Sequence, residues 1–185
     1  PDCGGFPSTK LYDSEMPTDD ADISFFEICG AIRKLKNNKS AGSDEIIPEL
    51  WKTIAKDADA LNYLFELCNE CWRDKYIPQS WHKSSVVSIF KKGDMPDMNN
   101  YRPISLLQIS YKIFATIILQ RLKRGGAEDR IWATQFGFRS AYGTTDALFM
   151  IRRLIDKALA SKDEVLIVLA LDWAKAFDSI SPDAL

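Results

Sequence analysis

One acidic residue, Asp172, directly follows a run of seven apolar residues, 165–171 (VLIVLAL). A short apolar run rich in β-branched side chains predicts a buried β-strand. A carboxylate at the end of such a rigid strand is a hard oxygen ligand of the kind that Mg²⁺ prefers. The same position also suits an N-cap for a helix that begins at Trp173, and spacing alone does not decide between the two roles.

Basic residues form a second group that could do chemistry: Lys91, Lys92 and Arg102. The two lysines lie near the end of a predicted strand, 84–94, and Arg102 is kept extended by the proline that follows it. The three side chains could therefore converge on one side and clamp a triphosphate, with Arg102 donating two parallel hydrogen bonds. An ordinary basic hairpin tip fits the same spacing.

The charge distribution points to a phosphate-binding region in the middle of the chain. The whole chain has a formal net charge of −2, yet residues 73–124 contain ten bases and three acids. The flanking stretches, 1–72 and 125–185, are both acidic. Nucleic-acid binding requires such a local basic surface, although a solvated Lys-rich surface has the same composition.

Length and composition indicate a globular protein. With 185 residues, 46% of them hydrophobic, the chain is long enough for one domain with its own core. Its apolar runs are shorter than the about 18 residues of a membrane span, and its polar start lacks a signal peptide. We expect both ends to be cuts in a longer polypeptide.

The cysteines are expected to be core residues. Cys68 and Cys71 form a lone C-x-x-C and His82 is the only histidine, so neither a disulfide framework nor a zinc site is expected. Cys68 instead shares a helical apolar stripe with Leu61, Leu64, Phe65 and Trp72. This pattern favours an intracellular, reducing setting.

Periodicity and turn signals predict the elements that position these groups. Helices are expected after a cap at Asp22 or Ser24, from Pro48, over 58–73, over 105–124, and from a cap at Thr144. In the last of these helices six residues are expected to face inward: Leu148, Ile151, Leu154, Ile155, Ala158 and Leu159. Strands and helices do not alternate regularly, which indicates an α+β fold.

Four stretches, in this order, resemble the reverse transcriptase domain of non-LTR (LINE-type) retrotransposons. They are NNKSAGSDEIIPELW (37–51), NNYRPISLLQISYKIFATIILQRL (99–122), QFGFRSAYGTTDA (135–147) and LALDWAKAFDSI (169–180). The resemblance covers the chain from about residue 23 onward. It implies a right-hand polymerase fold with helix-rich fingers and an incomplete palm, that is, a truncated reverse transcriptase.

The resemblance also implies domains and an activity. The domains are a flexible lead-in (1–22), an N-terminal helical extension of the fingers (23–82), the fingers (83–162) and the start of the palm (163–185). The implied reaction adds deoxynucleotides to a primer 3′-hydroxyl by two-metal phosphoryl transfer. It requires an RNA template, a DNA primer, deoxynucleoside triphosphates and Mg²⁺, or Mn²⁺ in its place. We expect no membrane partner and a nuclear location at the site of integration, and the oligomeric state stays open.

In the palm, Asp172 resembles the family's first metal-binding, catalytic aspartate, and the backbone carbonyl of Trp173 would be a second oxygen ligand. Phe177 resembles the aromatic residue that lies beneath the incoming sugar and rejects a 2′-hydroxyl by steric clash. A core phenylalanine is the alternative. Asp178 is interpreted as structural or, at most, as a substrate-positioning residue.

In the fingers, the resemblance assigns triphosphate binding to Arg102 and to either Lys91 or Lys92. It assigns template contact to the block that contains Gln135, Gly137, Phe138 and Arg139. There Gly137 allows close backbone approach and Phe138 can stack on a base.

This sequence departs from the family pattern in two loops. The commoner form has Gly-x-Ser before the Thr-Thr-Asp, and Tyr142 and Gly143 stand in that place here. The loop SAGSDE (40–45) likewise lacks the proline and the second glycine of APGPDG. These departures leave the fine template contacts open.

The family's aromatic-x-Asp-Asp motif does not occur in the 185 residues. The only Asp-Asp pair is Asp19–Asp20, and one carboxylate cannot hold two divalent ions, so we expect the chain by itself not to extend a primer. One alternative is a non-catalytic nucleic-acid-binding relic of a retroelement. Another is an unrelated α/β protein that binds Mg²⁺ or phosphate, which requires an acid two residues after Asp172, where Ala174 stands.

Overall fold

A computed structural model describes residues 19–160, 165–173 and 176. Its regular elements are α1 (Phe25–Lys34), α2 (Pro48–Ile54), α3 (Ala58–Asp74), β1 (Ser85–Phe90), β2 (Tyr101–Leu106), α4 (Ile109–Arg124) and α5 (Thr144–Ala160). The chain forms two compact units, Pro1–Arg130 and Ile131–Leu185. Helices with a small two-stranded sheet agree with the mixed composition expected of an α+β fold.

The first three helices begin at the expected residues, α1 and α3 at side-chain caps and α2 at a proline. Ser24 accepts a hydrogen bond from Glu27 N at 3.3 Å, and its own N–H donates to Glu27 Oε2 at 3.0 Å, which forms a capping box. Pro48 occupies the first turn of α2. Asp57 accepts from Ala60 N at 2.9 Å and so caps α3.

The core of the first unit lies between α1, α3 and α4. Its buried apolar side chains come from helical faces at the expected spacing, and they include Ile28, Ile32, Leu64, Cys68, Ile109, Ile113 and Ile117. Cys68 and Cys71 are buried free thiols, and burial raises the pKa of Cys68 to about 12. The prediction that these two cysteines pack in the core is confirmed.

Residues 19–22 are held in place by side chains of α3 and α4. The Arg121 guanidinium donates to the carbonyl oxygens of Asp19 (3.0 Å), Ala21 (2.6 Å) and Asp22 (3.0 Å). Arg73 forms an ion pair with the Asp22 carboxylate at 2.5 Å. The expected flexible lead-in therefore does not include these four residues, because side chains distant in sequence satisfy their backbone carbonyls.

The two strands form an antiparallel hairpin whose register pairs Ile89 with Arg102 and Phe90 with Tyr101. The strand predicted over 84–94 is thus confirmed over Ser85–Phe90, and so is the extended backbone of Arg102. All six side chains of β1 are exposed. The hairpin therefore contributes little to the core and leaves its side chains accessible.

The second unit differs from expectation in its helix. None of the residues of α5 is buried, and Leu148, Ile151, Leu154 and Leu159 are exposed. The prediction that this stripe faces inward is wrong for the described residues. An apolar stripe becomes buried only against another element, and α5 is the only regular element in the described part of this unit.

The second difference concerns residues 165–173, which have no regular secondary structure and are exposed throughout. The prediction of a buried strand that ends at Asp172 is therefore wrong here. A buried strand needs paired neighbours for its backbone amides and carbonyls, and in the described chain β1 and β2 pair with each other.

Within the described ranges, every helix falls short of the length and hydropathy needed to cross a bilayer.

Candidate functional site

The hairpin register places one of the two lysines beside Arg102. Lys91 N donates to Asn100 O at 2.8 Å, which continues the pairing of Ile89 with Arg102 by two residues. Side chains alternate between the faces of a strand, so Lys91 shares the face of Ile89 and Arg102. Lys92 follows at the bend, beyond the paired residues, so the register places only Lys91 on the face of Arg102. The sequence left this choice open.

The turn beyond the lysines is built from its own polar groups. Asn100 Nδ2 donates to Asp94 O at 2.9 Å, and Asp97 Oδ1 accepts from Asn99 N at 2.9 Å. Gly93 has φ +101°, and a Cβ there would lie 2.8 Å from the Asn100 side chain. Glycine is therefore required at this position, and the turn that follows Lys91 has a fixed shape.

Three of the ten bases of the central region lie at this hairpin, whose turn also contains two of the region's three acids, Asp94 and Asp97. Four of the region's ten bases form ion pairs with carboxylates in the described part of the chain: Arg73 with Asp22, Arg121 with Glu27, Lys123 with Glu128, and Arg124 with Glu27. By contrast, Lys91, Lys92 and Arg102 are exposed and form no ion pair with a described carboxylate. Three adjacent cations without acidic partners can bind an anionic group such as a triphosphate.

The predicted template residues lie in one loop, residues 132–143, which we term the aromatic loop. Arg139 Nη1 donates to Trp132 O at 3.1 Å and to Gln135 O at 3.4 Å. The Arg139 guanidinium carbon lies 4.4 Å from the centre of the Tyr142 ring. The guanidinium of Arg139 therefore links three parts of the loop, and the template contact expected for it stays a prediction.

The other predicted template residues have different surroundings. Phe138 has φ +61° and a side chain that is 94% exposed. Gln135 Nε2 makes a long hydrogen bond of 3.5 Å to Gly137 O. A Cβ at Gly137 would meet no atom within 4 Å, so the loop itself does not require glycine there. The close backbone approach expected at Gly137 stays a prediction.

Sequence reasoning did not assign a role to Tyr142. Its ring lies against Arg139 on one side and contacts the Phe136 ring edge-on at a centroid distance of 6.0 Å. The departure from the commoner Gly-x-Ser pattern was the signal that could have indicated this contact, because it places the aromatic Tyr142 three residues after Arg139.

The metal-ligand candidates lie in the second unit. Asp172 and Trp173 are exposed, and the Asp172 carboxylate and the Trp173 carbonyl are hard oxygen donors that suit Mg²⁺ in type. No group of three or more His, Cys, Asp or Glu side chains that could hold a metal ion occurs among the described residues. The donors thus fit the metal in kind and need further carboxylates. Phe177 and Asp178 lie outside the described residues.

Comparison with known proteins gives a family match. The profile of the family described as reverse transcriptase (RNA-dependent DNA polymerase) matches residues 89–185. The chain is 30% identical to the "Retrovirus-related Pol polyprotein from type-1 retrotransposable element R1" of Bradysia coprophila, over 86% of this chain and 16% of that protein.

Two proteins of Drosophila melanogaster are similar to the same extent. The "Probable RNA-directed DNA polymerase from transposon BS" is 31% identical over 86% of this chain and 17% of its own length. The "RNA-directed DNA polymerase from mobile element jockey" is 31% identical over 85% and 17%, respectively. The chain therefore spans about a sixth of the length of these curated relatives.

Proposed function

The chain belongs to the reverse transcriptase family, with non-LTR retrotransposon enzymes as its relatives, and we propose that it supplies the fingers and the first part of the palm to an RNA-directed DNA polymerase. The observation that carries this proposal is the extent of the family match. Residues 89–185 include every candidate site residue named above, from Lys91 to Phe177. The proposed reaction adds deoxynucleotides to a primer 3′-hydroxyl on an RNA template.

In this proposal the hairpin binds the incoming triphosphate. Lys91 and Arg102 share one face by the strand register, and both are exposed. A planar guanidinium next to an ammonium matches a triphosphate, because Arg102 donates two directed hydrogen bonds and Lys91 adds a point charge. Lys92 lies at the bend, beyond the hydrogen-bonded pairs, and is left out of this clamp.

In the palm, Asp172 and the Trp173 carbonyl would hold Mg²⁺, together with carboxylates from a longer protein that contains this chain. Bound divalent ions would lower the pKa of the primer hydroxyl and neutralise the triphosphate. Phe177 would exclude ribonucleotides by steric clash with the 2′-hydroxyl. The 185 residues by themselves are expected to be inactive in primer extension, because they contain no aromatic-x-Asp-Asp motif.

The test compares Lys91→Ala with Lys92→Ala in a longer protein that contains the complete polymerase domain. The two lysines are adjacent and equal in charge, so they are matched for general electrostatics. In steady-state primer extension on an RNA template, we expect Lys91→Ala to raise the KM for deoxynucleotides about tenfold to a hundredfold, because the substitution removes a charge-assisted hydrogen bond. Lys92→Ala is expected to change it less than about threefold.

Two results would contradict parts of this proposal. Equal effects of the two substitutions on the KM would contradict the proposal that Lys91, and not Lys92, binds the triphosphate. Template-directed synthesis that persists in Asp172→Asn would remove the metal role of Asp172, because an amide cannot replace an anionic ligand. A parent protein that binds RNA–DNA hybrids, carries no second acidic pair and extends no primer would support the non-catalytic relic.

A further inference from the structure

The aromatic loop contains a stack of three side chains. The Arg139 guanidinium lies over the Tyr142 ring at 4.4 Å, and the Phe136 ring meets Tyr142 at 61° with a centroid distance of 6.0 Å. Arg139 also donates to two backbone carbonyls of the loop, those of Trp132 and Gln135. Tyr142 is thus the central member of the stack, and Arg139 links it to the start of the loop.

The backbone between the members of the stack adopts an unusual conformation. Phe138 has φ +61° and Ala141 has φ +64°. L-residues with a Cβ rarely adopt these angles, which persist where surrounding contacts hold them. Arg139 and Tyr142 alternate with these two residues along the chain. The contacts of Arg139 and Tyr142, which directly follow these two residues, help to hold the left-handed conformation, and the Phe138 ring is exposed in it.

We propose that Tyr142 is a positioning residue: its ring supports the Arg139 guanidinium, so that the aromatic loop presents the Phe138 ring to a base of the single-stranded RNA template. This inference rests on the proposed function, since it assumes that RNA is the template. An exposed aromatic ring on a fixed loop loses little freedom when a base stacks on it, and stacking accepts any base. Tyr142 itself has one ring face covered by Arg139, so its part in binding is indirect.

The experiment uses the 185-residue chain and a single-stranded RNA oligonucleotide that carries 2-aminopurine in place of one adenine. Fluorescence anisotropy of an end-labelled copy of the RNA measures binding, and quenching of 2-aminopurine reports stacking of that base. We expect Phe138→Ala to abolish the protein-dependent quenching and to weaken binding about threefold to tenfold. Tyr142→Ala is expected to reduce quenching to the same level with Phe138 still in place.

Conservative variants separate positioning from charge. Tyr142→Phe keeps the ring and should retain the quenching of the original protein. Arg139→Lys keeps the charge but loses the planar guanidinium, which stacks on the ring and donates to two carbonyl oxygens. Its quenching of 2-aminopurine should therefore be as low as that of Tyr142→Ala. The double variant of Phe138→Ala with Tyr142→Ala should lose no more than either single variant, because both act through the same ring.

Each result has a defined meaning. If quenching is intact in Tyr142→Ala, or if the effects of the two alanine substitutions add, Tyr142 does not act through Phe138 and the inference is overturned. Binding without any quenching by the original protein overturns the role of Phe138 and leaves the proposed function in place. A chain that does not bind RNA at all contradicts the proposed function and this inference together.

Discussion

The two compact units contain helices with similar amphipathic patterns but different surroundings. In the first unit, the apolar face of α1 is buried, with Ile28 and Ile32 in the core. In the second unit, the corresponding face of α5 is exposed, and Leu154 has 52% of its surface accessible. The comparison teaches that a periodic pattern identifies the face that will be buried when a partner is present, and does not identify that partner.

The first unit also contains a largely buried charged cluster, and no such cluster occurs among the described residues of the second unit. Glu27 accepts from Arg121 at 2.8 and 2.9 Å, and a further hydrogen bond comes from Arg124. The Arg121 guanidinium lies 4.9 Å from the Trp72 ring. The ion pair found in α5, Arg152 with Asp156, is exposed and local. Local ion pairs of this kind contribute little to stability.

The largest difference between the units is expected in the free energy of unfolding when a leucine is replaced by alanine. Leu64→Ala removes a fully buried side chain from α3 and should lower the free energy of unfolding by about 3 kcal/mol, because it leaves a cavity. Leu154→Ala, the same change on the exposed face of α5, should cost less than about 0.5 kcal/mol. Urea denaturation followed by circular dichroism measures both. Equal costs would mean that α5 is covered in solution.

Acidification should also lower the stability of the protein through the charged cluster of the first unit, by less than the Leu64→Ala substitution. The Arg121 guanidinium lowers the pKa of Glu27 from 4.5 to about 2, with further hydrogen bonds from Ser24 and Arg124. A lowered pKa in the folded state means that the stabilisation is complete above pH 4.5 and is lost as pH falls toward 2. The loss should be roughly 2 kcal/mol over this window.

The matched control for this pH dependence is Glu27→Gln. The amide does not titrate, so the variant should be less stable at pH 7 and should lose less stability between pH 4.5 and pH 2 than the original protein. Urea unfolding at several pH values provides the measurement. A variant with an unchanged acid profile would assign the pH dependence to other carboxylates.

The smallest expected effect compares two glycine substitutions in the second unit. Ala141 has φ +64°, so Ala141→Gly should relieve about 1 kcal/mol of local strain. Ala147 lies inside α5, where Ala147→Gly should destabilise the helix by about 1 kcal/mol. Hydrogen–deuterium exchange should show stronger protection of residues 132–143 in the first variant and weaker protection of α5 in the second. Changes of the same sign would argue against strain at Ala141.

Part of the candidate site follows directly from the residues. The strand before Lys91 and the extended Arg102 were predictable, since β-branched residues and Pro103 each restrict the backbone locally. Which lysine shares the face of Arg102 was not predictable, because it depends on the pairing of Ile89 with Arg102, which only the hairpin register supplies. The loop contacts of Arg139 were not predictable either, because only the folded loop brings two carbonyl oxygens and the Tyr142 ring to its guanidinium.

The sequence by itself determined where α1, α2 and α3 begin and which faces of α1 and α3 are buried, as well as the family to which the chain is related. These features depend on groups within about four residues of each other. The sequence did not determine the start of the helix predicted over 105–124, which begins at Ile109 because residues 105–106 belong to β2. The tertiary structure alone decided which basic residues are neutralised by distant acids, as Arg121 is by Glu27, and which stay accessible at the hairpin. It also decided that residues 165–173 are exposed, because burial and strand pairing depend on neighbours that the local pattern does not specify.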